Sequence, residues 1–157
     1  MITCKPQLCE SVKNIKLTTT DYTVQQVTKV KALGIFITSG LSNIAMTNNI
    51  ISKVNYRLSI LKGVFKFCDK KTKTILMNSI VISIFRYCCP LLINSNTNLI
   101  AKLQTQLMKC TRYILGYESY KMSTVAIMNN LKFMTVYHMI VKESVSFIHK
   151  IIYNNSP

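Results

Sequence analysis

A run of apolar residues in the middle of the chain constrains its fold more than any other feature. Ile75 to Ile93 contains 19 residues and one charged side chain, Arg86. A membrane-spanning helix needs about 20 apolar residues, so the run is nearly long enough to cross a bilayer. Asn78 and Pro90 dilute it, and an arginine in mid-span costs at least ~2.5 kcal/mol on insertion scales. We favour the alternative of a central helix in a bundle, which explains the same run without that cost.

Hydrophobic periodicity predicts further helices around this central one. The predicted helices cover about 42–67, 70–89, 97–115, 123–130 and 135–153. Asp69 is placed to cap the second helix, Pro90 to end or kink it, and Gly116 to end the third. In the last helix the residues expected to face inward are Tyr137, Val141, Ile148 and Ile152. In the first helix Ile60 and Val64 fall outside the main stripe, so they are expected to contact a second neighbour.

The first 40 residues differ from the rest because they are rich in Val, Ile and Thr. They predict a short strand near Asn14–Thr18 and a second near Val30–Ile37. We therefore predict a mainly α chain with a small β-hairpin within residues 1–40, followed over residues 41–157 by a bundle of about four to five helices.

Charge gives the strongest indication of a partner. The chain has 20 Lys and Arg against 5 Asp and Glu, a net charge of +15. Few internal ion pairs can form, so salt or a polyanion must relieve the repulsion. Nucleic acid and an anionic membrane surface are the natural partners. A basic surface with no partner is the alternative.

Five lysines concentrate this charge between the first and second predicted helices. They are Lys62, Lys66, Lys70, Lys71 and Lys73. Three occupy the first turn of a helix, where the helix dipole opposes each cation by ~0.3–1 kcal/mol. A bound phosphate would reverse that effect, because exposed N–H groups and lysines both favour it. The alternative is a solvated turn.

Catalytic and metal-binding patterns are weak. The carboxylates are too few and too scattered for a catalytic pair, and no phosphate-binding glycine loop occurs. His138 and His149 are 11 positions apart on one predicted helix, or ~16 Å, so they cannot share a metal. No cofactor is expected in this chain.

The six cysteines are expected to be reduced thiols, mostly buried, because no C-x-x-C pair or disulfide framework is evident. No secretory signal opens the sequence, so we expect an intracellular protein, nuclear or cytoplasmic, that is not secreted.

Several short motifs follow one another in a recognisable order. The first is Val30–Ile35 (VKALGI), and the second is Gly40–Ser42 before a helix that carries Lys53, Arg57, Leu58 and Leu61. The third is Ser83–Pro90 (SIFRYCCP). The fourth is the spaced set Leu103, Gln106, Arg112, Ile114 and Gly116, and the fifth is Leu131–Val136 (LKFMTV). In this order they resemble the C-terminal part of a non-LTR retrotransposon (LINE-type) reverse transcriptase, from the end of the palm through the thumb. The Tyr-x-Asp-Asp motif of that family does not occur in the chain.

The resemblance implies a fragment or relic of an RNA-directed DNA polymerase. Residues 1–40 would correspond to the end of the palm, and residues 41–157 to a thumb-like bundle that holds the template–primer backbone. Lys31, Leu33 and Gly34 would belong to the primer-grip strand. The cations that would face RNA or DNA phosphates, without reading sequence, are Lys53, Arg57, Lys62, Lys66, Lys70, Lys71 and Lys73.

The same resemblance implies no polymerase activity for this chain alone. Divalent metal is implied only for the full-length parent enzyme, and a missing palm and fingers region is a possible partner. No stable membrane association is expected. Two alternatives stay open: a non-catalytic structural or interaction remnant, and a small membrane-associated basic protein.

Overall fold

The computed structural model describes residues 17–18, 23–24, 27–116 and 121–154. The chain divides into two compact units, Met1–Met46 and Thr47–Pro157. The first carries the described strands and the second carries nearly all of the helical structure.

The strands of the first unit form two antiparallel pairs. Strand β1 (Leu17–Thr18) pairs with β2 (Thr23–Val24), and β3 (Lys29–Ala32) pairs with β4 (Ile35–Thr38). The predicted single strand over Val30–Ile37 is therefore wrong, because a two-residue turn at Leu33 and Gly34 divides it. Both turn residues have positive φ, 49° and 79°. The sequence did not indicate a turn here, because leucine is uncommon in this conformation.

The predicted first strand lies mostly outside the described residues. Of its span, Asn14–Thr18, the structure describes Leu17–Thr18, which form β1. The rest of that prediction is not covered by the described part of the chain.

Five helices follow the hairpin, so the mainly α prediction is confirmed. They are α1 (Ile44–Phe65), α2 (Lys70–Leu92), α3 (Thr97–Leu115), α4 (Thr124–Leu131) and α5 (Val136–Asn154). Most of the predicted ends agree within about two residues.

Polar residues and a glycine fix several of these helix ends. Asp69 caps α2 by accepting hydrogen bonds from the backbone N–H groups of Lys71 and Thr72, and hydrogen bonding by Thr72 lowers the pKa of this carboxyl. Asn96 caps α3 in the same way through the N–H of Asn98. Helix α3 ends at Gly116, whose φ is 62°. The caps predicted at Asp69 and Gly116 are confirmed.

Helix α2 changes its hydrogen-bonding pattern along its length. Lys70–Leu76 is α-helical, Met77–Ile82 is π-helical, Ser83–Cys88 is α-helical again, and Cys89–Leu92 is a 3₁₀ turn containing Pro90. The helix was predicted to end or kink at Pro90, and it ends there in a tighter, 3₁₀ turn.

The apolar run of α2 is half core and half surface. Met77, Val81 and Phe85 are at most 1% exposed, whereas Ile75 is 58% exposed. By length and composition alone, α2 is the one described helix that could cross a membrane, and somewhat less than half of its apolar stretch is buried. A core helix of a soluble protein passes the same test, so both interpretations of this run stay open.

Helix α5 packs differently from the prediction. All four residues expected to face inward are exposed: Tyr137, Val141, Ile148 and Ile152. The buried residues are instead Val136, Met139, Ile140 and Ser144. The prediction was wrong because α5 is apolar around most of its circumference, so periodicity does not define one face.

Two residues of α1 also differ from expectation. Ile60 and Val64 are 55% and 45% exposed, so neither is buried against the second neighbour that was predicted. The stripe predicted for α1 is buried only in part. Val54, Leu58, Leu61 and Phe65 are buried, whereas Ile44 is 56% exposed and Ile51 is half-buried.

The described cysteines are free thiols, as predicted. Cys88, Cys89 and Cys110 are buried, and Cys68 is partly exposed. Burial raises the pKa of Cys89 and of Cys110 to about 12, so these two thiols stay protonated at neutral pH. Cys4 and Cys9 lie outside the described residues.

Candidate nucleic-acid interface

The lysine cluster, defined as Lys62, Lys66, Lys70, Lys71 and Lys73, surrounds the turn between α1 and α2. Four of its members are exposed and Lys73 is half-buried. The one carboxylate between residues 27 and 116 is Asp69, in the middle of this turn. Asp69 is occupied as the α2 cap. Within the described residues no ion pair neutralises the cluster.

Two lysines of the cluster are held by neighbouring helices. The Nζ atom of Lys70 donates a 2.9 Å hydrogen bond to Oδ1 of Asn130 in α4. The Nζ atom of Lys62 lies 4.8 Å from the ring centroid of Tyr113 in α3, a cation–π distance. Both contacts are to neutral groups, so they orient the ammonium groups and leave their charge uncompensated.

The two predicted site residues within α1 occupy different environments. Lys53 is exposed, whereas Arg57 is half-buried. The Nη1 atom of Arg57 donates to the backbone carbonyl of Ile80, inside the π-helical segment of α2. A guanidinium group has five N–H donors, so this bond leaves others available. Its first role is nevertheless to join α1 to α2.

The hairpin of the first unit presents its own pair of cations. Lys29 and Lys31 are both exposed and lie two residues apart on β3, so they share one face of the strand. Their Nζ atoms lie 4.0 Å and 5.9 Å from the ring centroid of Phe36 on β4. Leu33, at the turn, is 88% exposed, and Gly34 completes the turn.

Most of the predicted site residues therefore fall into two groups, and Lys53 and Arg57 of α1 belong to neither. In the second unit the lysine cluster flanks one turn, and the first unit places Lys31, Leu33 and Gly34 on one hairpin. Sequence reasoning missed Lys29, Tyr113 and Asn130. Lys29 could have been found from its two-residue spacing to Lys31. The other two contact their lysines across 51 and 60 positions, and no local pattern reveals such pairs.

The described residues hold no group of three or more His, Cys, Asp or Glu side chains placed to bind a metal ion. The two histidines have local contacts instead. Nδ1 of His138 is 2.8 Å from the Thr135 hydroxyl, and the ring of His149 stacks on Tyr153 with centroids 4.3 Å apart. The chemistry that the lysine cluster offers is attraction of a polyanion.

Comparison with known proteins adds no identity to this geometry. No family model, no curated protein and no solved structure matches the chain.

Proposed function

We propose that this chain binds the phosphate backbone of a nucleic-acid duplex through the lysine cluster, without reading base sequence. The observation that carries the proposal is the charge imbalance at the α1–α2 turn. Four exposed lysines surround a single carboxylate, and that carboxylate is engaged in capping a helix.

The motif order described above supports a more specific form of the proposal. On that resemblance the chain is a fragment or relic of a LINE-type reverse transcriptase, and the bundle is the thumb-like part that holds a template–primer duplex. The exposed Lys31 on the hairpin would be a second backbone contact. A missing palm and fingers region would be the natural partner.

Backbone binding has a quantitative signature in salt. Each phosphate that is neutralised releases counterions, so log affinity falls against log salt with a slope of about −0.9 per contact on a duplex. We expect on the order of 3–5 contacts by that relation, because not every lysine of the cluster can face one duplex. Affinity should not depend on base sequence, since phosphate contacts carry no sequence information.

Fluorescence anisotropy with a labelled RNA–DNA duplex over a salt series tests the proposal. Replacement of Lys70, Lys71 and Lys73 together by Gln should weaken binding and flatten the slope by about 2–3 units. The matched control replaces Lys102, Lys142 and Lys150, which are exposed and lie outside the cluster. Equal losses for the two triple variants would show diffuse charge attraction and contradict a defined interface.

A gain in affinity gives a second, independent test. Asp69→Asn removes the one carboxylate at the turn and keeps a side chain that caps helices about as well. Duplex affinity at low salt should rise while helicity, followed by circular dichroism, stays the same. Unchanged affinity in this variant would argue that the duplex does not approach the α1–α2 turn.

The apolar character of α2 supports a second candidate function, association with a membrane. Flotation of the purified protein with vesicles of anionic or neutral lipid tests it. Detergent-free solubility with no vesicle binding favours the nucleic-acid function. Binding to neutral vesicles at high salt favours the membrane function, because charge attraction alone would be screened.

A further inference from the structure

A cleft that no residue of the lysine cluster lines holds a second group of cationic and polar side chains. It lies in the second unit and has a volume of about 260 Å³. Its walls are α2, the turn between α4 and α5, and the start of α5. The lining residues are Asn78, Ile82, Arg86, Lys132, Phe133, Met134 and Met139.

The charge of this cleft has one sign. Arg86 and Lys132 line it together, and no carboxylate is among its lining residues. Within the described ranges, neither cation forms an ion pair with Asp69 or Glu143. Two cations beside one small cleft with no anion between them create a positive potential that attracts an anionic ligand.

The backbone conformation at Lys132 also indicates a ligand-binding site. Lys132 follows α4 with φ 54° and ψ 35°, in the left-handed region. Glycine or asparagine usually occupies this position after a helix, because a Cβ atom is disfavoured there. Holding a lysine in this conformation costs about 1 kcal/mol or more, and such outliers concentrate at ligand-binding sites.

The opposite wall is irregular as well. Asn78 and Ile82 belong to the π-helical segment of α2, and Arg86 follows one turn later. Such segments within α-helices are rare and frequently mark functional sites. Positions 78, 82 and 86 thus line the cleft together, with an amide and a guanidinium group on either side of an isoleucine.

We propose that this cleft binds a small organic phosphate, meaning a phosphate monoester that carries a compact apolar or aromatic group. Arg86 and Lys132 hold the phosphate, and the Asn78 amide donates a further hydrogen bond to it. The ring or alkyl part packs against Phe133, Met134 and Met139. The volume is below the range of drug-sized pockets, so the ligand is small. The proposal stands on different residues from the lysine cluster and does not depend on the proposed nucleic-acid function.

Titration calorimetry on the full chain with phenyl phosphate tests the two parts of this recognition. Phenyl phosphate should bind saturably at one site. Inorganic phosphate, which lacks the ring, and phenol, which lacks the charge, should each bind at least ~10-fold more weakly, about 1.4 kcal/mol. Equal binding of phenol would overturn the anion assignment, and equal binding of inorganic phosphate would overturn the apolar part.

Two variants and one matched control locate the site. Arg86→Gln and Lys132→Gly should each reduce phenyl phosphate affinity at least ~10-fold, as expected for loss of a charge-assisted contact. Lys132→Gly also relieves the left-handed strain, so it should fold at least as well as the parent chain. The control Lys142→Gln removes one exposed charge from α5 and should change affinity less than ~2-fold. A loss in the control as large as in the two variants would overturn the proposal.

The lysine-cluster triple variant separates this proposal from the nucleic-acid function. With Lys70, Lys71 and Lys73 replaced by Gln, phenyl phosphate should bind as it does to the parent chain. Loss of phenyl phosphate binding in that variant would place the site at the α1–α2 turn and overturn the assignment to the cleft.

Discussion

Helices α3 and α5 have the same length, 19 residues, and bury their side chains in different ways. Helix α3 contributes buried residues from Leu103 to Leu115, on one side of the helix along most of its length. Helix α5 buries side chains only between Val136 and Ser144, and its residues 145–153 are exposed on every face.

The difference comes from the distribution of polar residues. In α3 the exposed side holds Lys102, Lys109 and Arg112, so only the opposite side is apolar enough for the core. In α5 the exposed half is itself apolar and includes Phe147, Ile148 and Ile151. The burial of α5 is therefore decided by the extent of the helices that it packs against, chiefly the C-terminal part of α2 and α3. Strong amphipathicity fixes a buried face, and apolar content alone does not.

The largest expected effect is a truncation within α3. Leu107 is fully buried, so Leu107→Ala should lower the free energy of unfolding by about 2–5 kcal/mol through lost burial and a cavity. The control is Ile148→Ala in α5, where the side chain is 51% exposed. That change should lie within about 0.5 kcal/mol of the parent chain. Urea unfolding followed by circular dichroism measures both. Similar losses would mean that α5 is as well packed as α3.

A pH dependence should follow from the thiol that α3 buries. Burial raises the pKa of Cys110 from 9.0 to about 12, so between these values the unfolded chain releases a proton that the folded chain keeps. Stability should therefore fall as pH rises from 9 toward 12. Cys110→Ala should reduce this loss of stability. It should not abolish it, because the pKa of Cys89 is also raised to about 12 and that thiol contributes to the same pH dependence. Urea unfolding at a series of pH values measures the slopes, and identical slopes would contradict a protonated core thiol.

A smaller effect is expected at the end of α3. Gly116 has φ 62° and ψ −138°, a conformation that is essentially restricted to glycine. A Cβ atom at this position meets nothing within 4 Å, so the cost of Gly116→Ala is conformational and not steric. We expect a loss of about 1–3 kcal/mol in thermal or urea unfolding. Gly63→Ala, in the interior of α1 and also free of neighbours within 4 Å, should instead be neutral or stabilising. A neutral Gly116→Ala would show that this helix end relaxes readily.

The smallest expected effect on stability lies in the exposed half of α5. Phe147 and Ile151 are 55% and 43% exposed, so changing both to Gln should alter the free energy of unfolding by no more than about 1 kcal/mol. Solubility should rise, because an exposed apolar surface favours association. Unfolding and light scattering on the same preparations measure the two quantities. A loss of several kcal/mol would show that this half of α5 is covered in solution.

Local patterns were sufficient for most of the fold. The caps at Asp69 and Gly116 and the span of α3 could be predicted because each depends on neighbouring residues in the sequence. The Leu33–Gly34 turn was missed because its first residue is apolar, so the alternation resembled one continuous strand. The face of α5 was missed because no polar side defined it.

The two candidate sites also differ in whether the sequence alone reveals them. The lysine cluster was visible in the sequence because its members are close together along the chain. The cleft was not, because Arg86 and Lys132 are separated by two helices, α3 and α4, and line one cleft only after α2 packs beside the α4–α5 turn. Contacts of this kind, like that of Lys62 with Tyr113, depend on helix packing that periodicity does not specify.

The π-helical segment of α2 has a consequence for changes in chain length. Its hydrogen bonds span five residues instead of four, so the segment holds about one residue more per turn than an α-helix. Lys70–Leu76 and Ser83–Cys88 are therefore out of phase with the positions they would have in one uniform helix. Deleting one residue between them would let the helix continue without interruption, and each residue of an α-helix turns the chain by about 100°. Helical content would survive such a deletion, and Arg86 would stay on nearly the same side of the helix, because the wider turns of the segment take up the one extra residue. If the segment became α-helical with all its residues kept, Arg86 would instead turn by about 100° away from the cleft. The spacing of this helix is thus as specific a property of the chain as its side chains are.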